Sequence, residues 1–254
     1  MATGVLLAKS TCTDPAREDE FNRWYTHTHV PDVLGAPGFT VARRYVDPYG
    51  GTPRYLTVYE AEGDDLMEAA DELRRVSKAS WAAGRHIECV EPGSLGVYRC
   101  IDPSTLEPLD KVSNGPYTNP RAVDRDPPAS PPVARTLPRA VFLVTTNCSD
   151  PARDEEYNRW YSHMHIPDLS AGKGFVRADR YRREAPDAAH SSYVTIYEYE
   201  GDVFAALNDM LRIARSIFAT RHVDCIEGAP GGGLYQQIDV AAYPPLEKLS
   251  YPKR

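Results

Sequence analysis

Short apolar stretches of strand length alternate along the chain with longer stretches of helical spacing, and the whole order is written twice. Gly4 to Ser10 (GVLLAKS) reads as a strand, and Asp14-Pro15 then provides an N-cap and a proline at the first helical position, where its missing N–H costs nothing. The helix so begun is expected to run to about His29 and to stop before Pro31. Gly38 to Tyr45 and Arg54 to Ala61 follow as strands, separated by the turn DPYGGTP. A second helix opens at Gly63-Asp64, with Leu66, Ala69, Ala70, Leu73 and Val76 at helical spacing, and a last strand covers Ile87 to Val90 with an extension from Leu95 to Ile101.

That order is βαββαβ, the ferredoxin-like unit. A second unit runs from Ala140 to Ile238: DPAREDEFNRWYTHTHVPD at Asp14 returns as DPARDEEYNRWYSHMHIPD at Asp150, and Trp160 lies 136 positions after Trp24. The predicted fold class is α+β, tandem ferredoxin-like repeats closing into an α/β barrel. Repeat 1 is placed at 1–102, a Pro-rich connector at 103–138, repeat 2 at 139–239 and a tail at 240–254. The connector holds nine prolines and few aliphatics, so no packed secondary structure is expected there.

A four-stranded ferredoxin-like sheet carries helices on one face only. If Leu56/Val58 and Val194/Ile196 meet the helices, the bare face displays Tyr55, Thr57 and Tyr59, and in repeat 2 Tyr193, Thr195, Tyr197 and Tyr199. Two such faces closing on each other would make a tyrosine-lined barrel. Alternation fixes the two sets as opposite faces without saying which is inward.

Composition narrows the function classes. At 254 residues and 42% hydrophobic the chain can bury a real core, and a net charge of −7 disfavours nucleic acid, whose polyanionic backbone selects basic stripes. No apolar run reaches bilayer length and no signal peptide is legible, so a cytoplasmic protein with a small-molecule partner, compatible with a homodimer, is expected. Five cysteines without a CxxC pair suggest neither a disulfide framework nor a zinc site. Cys12/Cys148 and Cys89/Cys225 are equivalent and read as small buried residues.

The helix-end pattern Phe21-x-x-Trp24-Tyr25-x-x-x-His29-x-Pro31, followed by Gly38-Phe39 and Arg44-Tyr45, returns at Tyr157, Trp160, Tyr161, His165, Pro167, Gly174-Phe175 and Arg180-Tyr181. It resembles the dimeric α/β-barrel superfamily and, within it, the EthD-like proteins. The resemblance implies a pocket inside the barrel with a histidine near the end of the first helix. Such families include cofactor-free monooxygenases, polyketide cyclases, lactone isomerases and haem enzymes. Most members pair two chains to form the barrel, whereas this chain carries both halves.

At 100° per residue, Glu18, Asn22, Tyr25 and His29 share a polar helix stripe, as do Asn158, Tyr161 and His165 in repeat 2. His29 and His165 are candidate general bases near neutral pH, with Tyr25 and Tyr161 beside them. The competing reading is that they cap helix C-termini. His27 and His163 point away, so the HxH pair cannot chelate one metal on a helix. His86-x-Glu88 and His222-x-Asp224 would place an imidazole and a carboxylate on one strand face, either as a base pair or as a solvated edge ion pair.

Asn22, Asn158, Tyr55, Tyr59, Tyr193, Tyr197, Arg43 and Arg177 are candidate substrate-binding residues, the two arginines competing with a surface-charge reading. No spacing demands a metal, and no cofactor is expected. The leading expectation is a cofactor-independent isomerase, cyclase, dehydratase or monooxygenase acting on a small aromatic or polyketide-like metabolite. The alternatives are a non-catalytic small-molecule carrier and a haem or non-haem iron enzyme.

Overall fold

The computed structural model describes residues 3–109, 139–185, 191–220, 222–229 and 231–245. Most of the expected connector, 110–138, and the end of the tail, 246–254, lie outside the described residues. The chain forms two compact units, residues 1–100 with 237–254 and residues 101–236. Each unit therefore closes with the segment that follows the other repeat's last strand.

Unit 1 contains β1 (Gly4–Cys12), α1 (Glu18–Trp24), α2 (Val30–Leu34), β2 (Phe39–Val46), β3 (Tyr55–Ala61), α3 (Leu66–Ala82) and β4 (Val90–Cys100). Its strands lie in the antiparallel order β4-β1-β3-β2, the ferredoxin-like arrangement. Unit 2 follows with β5 (Arg139–Cys148), α4 (Asp154–Trp160), α5 (Ile166–Leu169), β6 (Phe175–Arg183), β7 (Tyr193–Glu200), α6 (Val203–Thr220), β8 (Ile226–Gly228) and β9 (Gly233–Gln237). There β6 pairs β7, β7 pairs β5, and the other edge of β5 takes β8 and β9.

The first helix begins as its sequence requires. The Asp14 carboxylate accepts the Ala16 N–H at 3.0 Å, and Asp150 does the same for Ala152. Its end differs from expectation, because the helix does not stop before Pro31. Between α1 and α2 lies a five-residue π-turn, Tyr25–His29, in which the Val30 N–H reaches back five residues to the Tyr25 carbonyl. In an unbroken α-helix the Pro31 ring would press on the His27 carbonyl. The wider turn relieves this, and the helix continues to Leu34. Tyr161–His165 forms the same π-turn ahead of Pro167.

The sheet faces also reverse one expectation. Register pairs Leu6 with Tyr59, Ala8 with Thr57 and Ser10 with Tyr55. This set faces the helices: Tyr59 packs in one cluster with Leu66, Ala70 and Leu73, and Tyr55 in another with Phe21, Trp24 and Tyr25. Tyr193, Tyr197 and Tyr199 likewise pack with Tyr157, Trp160 and Leu207. The tyrosines therefore do not line a bare face, and Leu56/Val58 and Val194/Ile196 lie on the face away from the helices. For Tyr55 and Tyr193 the helices supply the hydrogen-bond partner that a buried hydroxyl needs. Tyr55 donates to Glu18 and accepts from Asn22, while Tyr193 donates to Asp154 at 2.5 Å and accepts from Asn158 at 3.0 Å.

The segment 87–89 is a turn rather than a strand, and β4 starts at Val90. His86 and Glu88 therefore share no strand face, nor do His222 and Asp224, which lie in the equivalent turn.

Candidate functional site in unit 1

The repeated motif resolves into separate tasks. The Trp24 indole N–H donates to the Arg85 carbonyl at 2.9 Å, and the Arg85 guanidinium clasps the Asp32 carboxylate at 2.6 Å. Ser80 adds a further hydrogen bond to Asp32 at 2.6 Å. Burial works to raise the pKa of Asp32, but these bonds hold it below the ordinary carboxylate value. Together these contacts fasten α2 to the end of α3. His27 turns outward and its Nε2 donates to the Tyr243 carbonyl, pinning the segment after β9, as His163 donates to the Leu106 carbonyl at 2.8 Å and pins the segment after β4.

Tyr25 and His29 turn inward. The π-turn brings His29 beneath Trp24, with rings stacked at 5.2 Å, and against the edge of Tyr25 at 4.6 Å. An α-helix would hold residues five apart roughly 140° out of register, so the stack depends on the π-turn. Burial, reinforced by the charge of Arg44, lowers the His29 pKa to about 4, with Asp32 pulling weakly the other way. His29 is therefore a neutral imidazole at pH 7.

Beside it lies a cavity of about 180 Å³ between the helices and the sheet. Trp24, Tyr25, His29 and Val33 line it from the first helix, Leu73 and Trp81 from α3, and Leu6, Ser10 and Tyr59 from the sheet. Two lining hydroxyls stand out. Ser10 Oγ and Tyr59 Oη are buried, at 4% and 1% residue exposure; among the described residues none bonds Ser10 Oγ, while the Tyr25 and Thr57 hydroxyls neighbour Tyr59 Oη. Burial, with the neighbouring Tyr25 hydroxyl, raises the Tyr59 pKa well above its ordinary value.

Unit 2 arranges the equivalent side chains differently. Thr146, opposite Tyr193 as Ser10 is opposite Tyr55, bonds the Tyr157 hydroxyl at 2.5 Å, where unit 1 has the hydroxyl-free Phe21. Tyr197, the counterpart of Tyr59, donates to Tyr161 at 3.0 Å. Buried positions of α3 and α6 match at a spacing of 137, as in Ala69/Ala206 and Leu73/Met210, which aligns Trp81 with Phe218. Phe218 packs 5.5 Å from His165 and 6.2 Å from Trp160, whereas Trp81 stacks flat on His86 at 4.2 Å and is 41% exposed. His165, 5% exposed, is stacked by Trp160 at 4.8 Å, and burial with Arg180 lowers its pKa to about 3.

The remaining expected site residues are engaged structurally. Asn22 and Asn158 bond the Glu18 and Asp154 carbonyls at 3.0 and 2.8 Å as well as Tyr55 and Tyr193. Arg43 pairs with Glu60, and Arg177 with Glu198 at 2.8 Å. Asp224 pairs with Arg153. Burial, with its neighbouring thiol, pushes Cys89 up to about 11 and Cys225 up to about 12, so both are protonated thiols at pH 7.

Sequence reasoning passed over two buried cations. Arg44 and Arg180 lie over the Tyr25 and Tyr161 rings at 4.3 and 4.2 Å and donate to the Asn22 and Asn158 carbonyls. It also passed over Ser10 and Trp81. The signal for these lay in the mismatches between repeats, Phe21 against Tyr157 and Trp81 against Phe218.

Fold and geometry together define an α+β protein of ferredoxin-like units. No family model matches the chain, and no curated protein matches it. Among solved structures it is similar to a mutant chlorite dismutase from Candidatus Nitrospira defluvii, at 10% identity and TM-score 0.56 over 96% of this chain and 94% of that one. A candidate chlorite dismutase is similar at 14% identity and TM-score 0.51, over 96% and 98%. A candidate monooxygenase from Fusobacterium nucleatum is similar at 12% identity and TM-score 0.50, over 93% and 92%. At these identities the likeness concerns the fold. No helix among the described residues is long and apolar enough to cross a membrane.

Proposed function

We propose that unit 1 holds a small organic molecule between its helices and sheet and that His29 is the proton acceptor there, making the chain an enzyme of the isomerase, cyclase, dehydratase or monooxygenase type. The observation that carries this reading is the cavity beside a neutral imidazole in unit 1, whereas in unit 2 Phe218 packs against the equivalent His165. A neutral imidazole can take a proton from a ligand carbon or hydroxyl and return it elsewhere, which suffices for isomerisation or dehydration. Oxygenation would in addition consume dioxygen as co-substrate. Tyr25 holds the His29 ring in place, and the unit 2 residues His165 and Tyr161 keep the shape without the chemistry. EthD-like kinship belongs to this proposal, supported by the repeated motif.

The test is proton–deuterium exchange of small enolisable ring ketones in D₂O, followed by NMR. Wild type and His165→Gln should accelerate exchange, and His29→Gln should lose about 10²-fold or more of that acceleration. Equal exchange with and without His29 would leave a binding protein rather than an enzyme.

A second reading is a redox enzyme, favoured by the fold match to chlorite dismutases over nearly the whole chain. Haem, which the superfamily resemblance allows, does not fit the cavity beside His29. A space of about 180 Å³ is below the ~300–1,000 Å³ typical of drug-sized ligands, and far short of a haem. An absorption spectrum and metal analysis of the purified protein separate the readings, since a Soret band or stoichiometric iron would replace the first with the second.

A further inference from the structure

We infer that the unit 1 cavity is built for a single six-membered aromatic ring bearing a hydroxyl or comparable hydrogen-bonding group, with that group seated on Ser10 and Tyr59. The inference rests on the proposed ligand site and adds its chemical class.

Size sets the first limit. An apolar cavity of ~150 Å³ accommodates benzene, so about 180 Å³ holds one substituted ring and no fused system. Walls of Trp24, Tyr25, Leu6, Val33 and Leu73 suit an aromatic face.

Polarity sets the second. A buried hydroxyl left unbonded is costly, and Ser10 lines this cavity without a partner among the described residues, next to the Tyr59 hydroxyl. Unit 2 shows that the fold can satisfy both internally, because Tyr157 bonds Thr146 and Tyr161 bonds Tyr197. Unit 1 lacks the first of these solely because Phe21 has no hydroxyl. A ligand oxygen that donates to one group and accepts from the other completes the set. Trp81 lies away from the space that its counterpart Phe218 occupies in unit 2, so its position determines how large a ring substituent fits.

Phenol and toluene test this, because they differ only in hydroxyl against methyl. Titration of the full-length protein, followed by fluorescence of Trp24 and Trp81 and by calorimetry, should show phenol binding about tenfold or more tighter than toluene. Ser10→Ala should weaken phenol and leave toluene unchanged. Phe21→Tyr, which installs the unit 2 arrangement, should erase the preference for phenol. Tyr197→Phe, in unit 2, should alter neither ligand.

Toluene binding as well as phenol, with both dependent on His29, would overturn the inference and leave the ligand site standing. Binding of neither, with unchanged Trp24 and Trp81 fluorescence, would overturn both. Should Phe21→Tyr fail to fold, Ser10→Ala alone decides: an undiminished preference for phenol overturns the inference.

Discussion

The residues of the repeated motif differ in accessibility more than in identity. His29 and His165 have the same two aromatic neighbours, yet one borders a cavity and the other is enclosed by Phe218. Both imidazoles are kept neutral by burial, which has a stability consequence. As pH falls below the ordinary histidine value of 6.5, the unfolded chain takes up a proton first, so stability is intact above about pH 6.5 and declines towards the folded values. For His165 the decline extends to about pH 3 and for His29 to about pH 4. The His165 contribution reaches on the order of 4 kcal/mol. Urea unfolding midpoints measured between pH 7 and 4 should therefore fall less steeply for His165→Gln than for wild type.

At the scale of elements, the π-turn is the device that turns a helix end into a site. It absorbs Pro31, aligns Trp24 over His29 and leaves His27 facing outward to hold the segment at Tyr243. His27→Ala should remove about 0.5–1.5 kcal/mol and raise amide exchange at residues 239–243, while His163→Ala should do the same at 102–106. Loss of protection spread evenly over the chain would contradict a local clasp. The histidines that an HxH pattern offers to a metal are thus a structural fastener and a buried ring, and no cluster of three or more metal-ligating side chains forms among the described residues.

For the whole molecule, each compact unit is completed by a segment distant in sequence. Ile238 and Tyr243 pack with Phe21, Trp24 and Tyr25, and the Ile238 N–H donates to the Arg44 carbonyl at 2.9 Å. Ending the chain after Gln237 should therefore uncover the first helix of unit 1. Hydrogen exchange should accelerate across residues 18–34 and remain slow across 154–169, whose own segment at 102–108 is retained. A uniform loss in both helices would show that this segment stabilises more than its own unit.

The element order, the two-fold writing of the chain and the caps at Asp14 and Asp150 were legible in the sequence, because strand alternation, helical spacing and capping chemistry act over a few neighbouring residues. Which sheet face meets the helices was not, since alternation by two is symmetric between faces. Hydrogen bonds from Tyr55 to Glu18 and from Tyr193 to Asp154 broke that symmetry across some 40 residues of chain. The continuation of the helix past Pro31 rested on a π-turn, which helical spacing does not announce. Sequence alone determined that the helix-end motif is written twice. Tertiary structure decided that His29 borders a cavity while Phe218 packs on His165, because how Trp81 and Phe218 pack depends on residues far from them in the chain.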